Sequence, residues 1–266
     1  MKNNKIYYAK YSVLSRGSEE KGGFKGYIWV GENNNNWVIT QDEHGILKSE
    51  KKAGMLECNG NKNIKSLAIA RFQLMAAIMM KKNKKFIDKN SKILLLGLGN
   101  VGLGTILELI RNNRKKIYIF LRNKNKKIII DEINTKYKTD IKIIYEIEDL
   151  KEFDNIIDAT GSREVLNAII DKICNHTNLI LMGTPREGPA INLLNIHRKN
   201  IRIIGAHEIN GITEKERQKL FSSTLKFCSR NMLKSLESFI VIHNYTKTAV
   251  KEAIQDRNNI IHIFKY

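Results

Sequence analysis

Three glycines at fixed spacing offer the clearest chemistry in this chain. Gly97, Gly99 and Gly102 form a G-x-G-x-x-G, with Asn100 and Val101 between the last two, directly after the apolar run Ile93-Leu94-Leu95-Leu96. Thr105-Ile106-Leu107-Glu108-Leu109-Ile110 follows with helical patterning. A strand that stops at a tight turn and passes into a helix aims backbone N–H groups at one spot, where a pyrophosphate is held. Gly97 permits the turn, Gly99 lets the backbone approach the phosphates, and Gly102 lets helix and strand pack closely. The alternative is a glycine-rich turn with no ligand; the strand before and the helix after it are the context that binding requires. About twenty residues beyond such a turn, an Asp or Glu commonly accepts bonds from the ribose hydroxyls. This chain instead has Arg122, Asn123, Lys124, Asn125, Lys126 and Lys127 there. A guanidinium grips a phosphate through two N–H···O bonds, so the run predicts a 2′-phosphorylated ribose and hence NADPH rather than NADH. The plainer reading is a solvated basic loop.

The elements that must position these residues alternate regularly. Strands are predicted at Lys116–Leu121, Ile141–Tyr145, Asn155–Ala159, Asn178–Met182 and Ile201–Gly205, with helices near Lys127–Tyr137 and Arg163–Cys174. Such alternation predicts an α/β fold with a doubly wound, parallel Rossmann sheet. Ile64–Met80 is apolar most of the way round and reads as a buried helix between domains, its methionines filling core. A late helix is expected at Glu214–Met232, then a strand at Phe239–His243, and, after Ala249–Ile254, a final strand at Ile260–Phe264. Residues 1–60, with short β-like pieces, scattered glycines and an Asn33–Asn36 tip, read as a small β-rich module.

Composition narrows the classes. The chain has 266 residues, 42% of them hydrophobic, enough to bury a sizeable core. No apolar run has the roughly 18–20 residues of a membrane span, and the start lacks the pattern of a signal peptide, so a cytoplasmic protein is expected. Cys58, Cys174 and Cys228 are widely separated with no C-x-x-C, so they predict neither a disulfide framework nor a zinc cluster. The formal charge of +19 invites a nucleic-acid partner. Its lysines are scattered without interleaved aromatics, however, so nucleic acid is not the expected partner.

With these positions placed, the chain resembles the medium-chain dehydrogenase/reductase superfamily, the relatives of zinc alcohol dehydrogenase. The pieces that carry the likeness come in the family's order: the Ile64–Met80 helix, Gly97-Leu98-Gly99-Asn100-Val101-Gly102-Leu103, Ile157-Asp158-Ala159-Thr160-Gly161, Leu179–Pro185, Ile201–Gly205 and the closing 249–264 segment. The resemblance implies a small, reduced GroES-like β-rich domain at 1–62, the Rossmann domain at 63–234, and a return to the first domain at 235–266. The front departs from the pattern. Ser15-Arg16-Gly17-Ser18-Glu19 puts arginine where zinc-dependent members place a ligand cysteine, Phe24–Gly31 lacks their histidine and glutamate, and the cysteine lobe is absent. No metal is therefore expected.

Zinc-free members of that superfamily reduce activated C=C bonds, which implies an NADPH-dependent reductase here. Thr160, Gly161, Gly183 and Thr184, in loops at strand ends, would face the nicotinamide ribose. Tyr27, His44 and His207 are the candidate proton donors, each with a purely structural reading beside it. A narrower likeness is to the reductases of lanthipeptide biosynthesis that hydrogenate dehydroalanine to D-alanine, so the substrate is expected to be a small molecule or a modified peptide. A homodimer through an edge strand is the family's habit. The competing readings are a non-catalytic dinucleotide-binding sensor or complex subunit, and a zinc-free alcohol or carbonyl oxidoreductase.

Overall fold

The computed structural model describes segments 11–13, 27–30, 36–41 and 47–50 of residues 1–62, and from residue 63 onward all but 151, 185–190, 209–210, 245, 257 and 266. In chain order the elements are β1 (Tyr11–Val13), β2 (Tyr27–Val30), β3 (Asn36–Gln41), β4 (Leu47–Glu50), α1 (Ile64–Lys82), β5 (Ile93–Leu96), α2 (Asn100–Arg111) and β6 (Ile117–Phe120). Next come α3 (Lys127–Tyr137), β7 (Lys142–Ile144), β8 (Asn155–Asp158), α4 (Arg163–Lys172), β9 (Asn178–Leu181), α5 (Leu193–Arg198) and β10 (Arg202–Gly205). The series ends with α6 (Glu214–Arg230), β11 (Ile240–Asn244), α7 (Lys247–Gln255) and β12 (Ile261–Lys265).

Strands β5 to β10 form one parallel sheet in the order β10-β9-β8-β5-β6-β7. The period of two along each strand sends alternate residues to opposite faces. Ile93 and Leu95 of β5 join the core beneath α1, α2, α3 and α6, whereas Leu94 and Leu96 join the core beneath α4. Both faces are covered, which explains why β5, in the middle of the sheet, is apolar without interruption. This is the doubly wound α/β Rossmann arrangement. From β5 the chain builds outward to β6 and β7 on one side, then returns to β8 and builds to β10 on the other. The loops after β5 and β8 therefore diverge, and a cleft opens between them.

The observed strands fall within one or two residues of the predicted ones. Helix α4 stops at Lys172, short of Cys174, because Ile173 is extended with ψ 151°. The short helix α5 was not foreseen. Helix α1 packs between α2 and α6 and buries Met79 and Met80 as core, but Met75 departs from the core-filling reading and lines the cleft. β1 pairs antiparallel with β12, which pairs in parallel with β11, and β2-β3-β4 form an antiparallel meander. Among the described residues no helix is long and apolar enough to cross a membrane.

Candidate functional site

The cleft measures about 1020 Å³, at the top of the roughly 300–1,000 Å³ range of small-molecule sites. Its floor is Gly97–Val101 at the end of β5. Gly97 has φ +88°, which a side-chain-bearing residue adopts only with strain. A Cβ on Gly102 would lie 2.1 Å from the Gly97 carbonyl oxygen, whereas one on Gly99 would meet nothing within 4 Å. Gly102 thus serves the tight packing of turn and helix, and Gly99 leaves an open approach to the backbone. Helix geometry leaves the N–H groups of Asn100, Val101 and Gly102 without a backbone acceptor. The first backbone bond is from Leu103 N–H to the Gly99 carbonyl, at 2.8 Å, and the Asn100 side chain accepts from Val101 N–H. The first turn of α2 carries no acidic residue. A cradle that a Cβ would fill, at a helix N-terminus with no competing carboxylate, fits a pyrophosphate.

One wall of the cleft is Phe120–Asn123 with Lys126. Arg122 and Asn123 stand where the sequence places them, at the end of β6. Lys127 does not reach the cleft: its ammonium lies 2.6 Å from Asp131, one turn along α3. A 3-10 turn over Lys124–Lys126 shifts the phase before α3 begins, so Lys126 is the lysine that turns inward. It is buried, and its Nζ donates to the Leu98 carbonyl at 3.3 Å. The two residues are adjacent in sequence, and nothing in their type distinguishes them.

The opposite wall is Ala159–Val165, and Met75, Met182, Gly183 and Thr184 complete the lining. Asp158, the last residue of β8, builds this wall. Its fully buried carboxylate accepts from Thr160 N–H (2.8 Å), the Thr160 hydroxyl (2.6 Å) and Gly161 N–H (3.2 Å). Burial pushes this carboxyl above its ordinary value even though those bonds favour the charge. Thr160 Oγ1 in turn accepts from Ser162 N–H, and the Ser162 hydroxyl donates to Glu164. The Thr160 hydroxyl is therefore engaged inward. Gly161 and Gly183 bring their loops into contact: a Cβ on Gly183 would lie 2.3 Å from Gly161 N. The Ser162 hydroxyl, its own backbone N–H, and then Arg122 and Arg163 hold the Glu164 carboxyl below the usual range. Arg122 thus interacts with a carboxylate from the facing wall.

The three candidate proton donors are not brought together by the described residues. His207 is exposed, two residues beyond β10, and its carbonyl accepts from Lys82 Nζ at 3.2 Å. Tyr27 opens β2, in register with Ile39, and His44 lies outside the described residues, as do Arg16 and Cys58. Cys228 is buried, and burial pushes its thiol up to about 12, so it is packing rather than a nucleophile.

No protein-family model matches the chain, and no curated protein matches it. Solved structures do match in shape. S. aureus TarJ in complex with NADPH is 16% identical, with a TM-score of 0.56 over 89% of this chain and 76% of that one. The yhdH oxidoreductase from Salmonella enterica in complex with NADP is 12% identical, with a TM-score of 0.63 over 97% of this chain and 89% of that one. The short chain alcohol dehydrogenase rspB from E. coli CFT073, complexed with NADH, is 15% identical, with a TM-score of 0.58 over 91% of this chain and 82% of that one. At these identities the likeness establishes the fold. The structures named include both NADP(H) and NADH complexes, so the ribose selectivity of this chain rests on its own residues.

Proposed function

We propose that this protein is an NADPH-dependent, zinc-independent reductase that acts on an activated C=C bond. The observation that carries the reading is the basic wall at the end of β6. Arg122, Asn123 and Lys126 stand there, where a carboxylate would favour NADH. The main chain of the first turn of α2 holds the pyrophosphate, approached over Gly99, and Arg122 grips the 2′-phosphate. The Thr160–Gly161 and Gly183–Thr184 loops, locked by Asp158, position the nicotinamide ribose. Bound there, NADPH supplies a hydride to the carbon β to an electron-withdrawing group. The choice of C=C over carbonyl or alcohol chemistry rests on the family resemblance, which sets Arg16 where zinc-dependent members have a ligand cysteine. His207, at the C-terminal edge of the sheet, and Tyr27 and His44 of the front segment are the donors proposed for the proton. Residues 1–62 and 235–266 form the substrate-facing unit in this reading, supported by the pairing of β1 with β12.

The narrower substrate we favour is dehydroalanine in a lanthipeptide precursor, for which a formal charge of +19 would suit an acidic leader segment. The test is NADPH oxidation with a panel of enones and enals, together with a dehydroalanine peptide read by mass. Reduction adds two hydrogens, a gain of about 2 Da in any reduced peptide. Tight NADPH binding without turnover of any member would instead establish the dinucleotide-binding sensor. Turnover of aldehydes alone would establish the carbonyl reductase. Turnover of enones but not of the peptide would sink only the narrower substrate.

A further inference from the structure

Arg71, Met75, Ile78 and Lys82 follow one another along α1 at intervals of four, three and four residues, which places them on one stripe of the helix. Met75 lines the cleft, as do Met182 and Gly183. On either side of Met75 the stripe holds the loop that leaves β10: Arg71 bonds the Glu208 carboxylate, and Lys82 Nζ bonds the His207 carbonyl. The Arg71–Glu208 contact is a two-pronged fork, with Nη1 to Oε2 at 2.6 Å and Nη2 to Oε1 at 2.5 Å. Arg217 of α6 reaches the same carboxylate at 3.7 Å. Glu208 is largely buried, at 12% exposure, whereas the Arg71 side chain keeps 37%.

Resting on the reductase reading above, we propose that Arg71 is the docking point for a carboxylate on the substrate, and that Glu208 is the resident group the substrate displaces. The resident ligand reports the chemistry that fits: a planar carboxylate taken edge-on by a guanidinium. Arg71 is solvent-accessible and sits one helical turn from a cleft-lining residue, so it can exchange partners without unfolding α1. Glu208 stays charge-compensated after the exchange, because Arg217 is already within reach of its Oε2. The reducible group of the substrate therefore lies a few bonds from an acid. In a peptide, that acid is an Asp or Glu side chain, or a C-terminal carboxylate, near the unsaturated residue.

The experiment is a calorimetric titration with trans-4-oxopent-2-enoate and with its methyl ester, on the full chain with and without NADP⁺, whose oxidised ring precludes turnover. Expected is at least tenfold tighter binding of the acid than of the ester. Arg71→Gln should abolish that preference and Arg71→Lys should restore part of it. Glu208→Gln, which removes the competitor, should tighten the acid severalfold; a pair that merely braced the fold would respond by weakening. Equal binding of acid and ester, no binding of either, or a preference that survives Arg71→Gln overturns the proposal. Turnover of the methyl ester with NADPH tests the reductase reading separately. Its absence, with the acid preference intact, would sink that reading and leave the anion site standing.

Discussion

Gly102 approaches Gly97 so closely that a methyl group on it would stand 2.1 Å from the Gly97 carbonyl oxygen, while Gly99, between them, faces open space. The two positions therefore separate folding from binding. Gly102→Ala must push the turn away from α2, at a cost of about 1–3 kcal/mol typical of overpacking. Gly99→Ala disturbs no neighbour but intrudes where the phosphates approach. The expected outcome is a lowered melting temperature for Gly102→Ala. For Gly99→Ala, an unchanged melting temperature should accompany at least a tenfold loss of NADPH affinity in a fluorescence titration. Equal destabilisation by both would remove the basis for treating Gly99 as the open face of a ligand cradle.

Arg122, Lys126 and Lys127 make distinct predictions. Removing the guanidinium by Arg122→Ala should raise KM for NADPH tenfold or more, about 1.4 kcal/mol, with little change for NADH. Arg122→Asp should reverse the preference, by accepting from both ribose hydroxyls and repelling a phosphate. Lys126→Ala should lower both cofactor affinity and melting temperature, because its ammonium ties this wall to the Leu98 carbonyl. Lys127→Ala should do neither, since its partner Asp131 lies along α3. A steady-state comparison of the two cofactors decides the matter. An unaltered NADPH-to-NADH ratio in Arg122→Ala would rule out the 2′-phosphate role.

The sheet was legible because its middle strand β5 is buried throughout and reads as an unbroken apolar run, with β-branched strands and helical patterning alternating after it. Loop boundaries were less so, for a definite reason. Asn113, Lys138, His176 and Asn200 take positive φ in the helix-to-strand connections, where glycine is the usual signal. With no glycine to punctuate them, α4 ends two residues before the expected Cys174, and the sequence after α5 carries no glycine boundary signal. In the site, the glycine turn and Arg122 could be read from spacing alone. Asp158 could not, because a carboxylate that closes a strand is ambiguous until its bonds to the Thr160–Gly161 turn are seen. An Asp two residues before a Thr-Gly pair is a turn signal that could have raised it. The Arg71–Glu208 pair spans 137 positions and leaves no local trace.

Asp158 also gives a pH prediction with a definite sign. Burial raises its carboxyl above the ordinary 3.8, so between 3.8 and its folded value the native state holds more proton than the unfolded state. Stability attributable to this group therefore falls as pH rises through that window, and stays lower above it. Asp158→Asn removes the titration while retaining acceptors for the Thr160 N–H and hydroxyl, and it sets an amide against the Gly161 N–H. The variant should be less stable than the natural protein at acid pH, and the gap should narrow as pH rises. Thermal unfolding of both across that range is the measurement. A gap that widened with pH would mean the charge is better solvated in the fold than its burial implies.

The remaining prediction concerns the edge of the sheet. Among the described residues nothing pairs with the outer side of β10, whose residues are mostly exposed. Ile203 on that strand is 37% exposed, and Leu193 and Leu194 on the preceding helix are 74% and 53% exposed. A row of backbone donors and acceptors flanked by apolar side chains invites another strand. The partner we propose is a second copy, its β10 laid antiparallel about a twofold axis. That symmetry presents the same surface from both chains and extends the sheet without leaving a new edge in the middle. Light scattering should give twice the 30.6 kDa of the chain. Ile203→Lys should halve the measured mass, because it sets two like charges against each other across the axis. If the natural protein already runs as a single chain at micromolar concentration, the edge must be protected otherwise, and Ile203→Lys would then leave the mass unchanged.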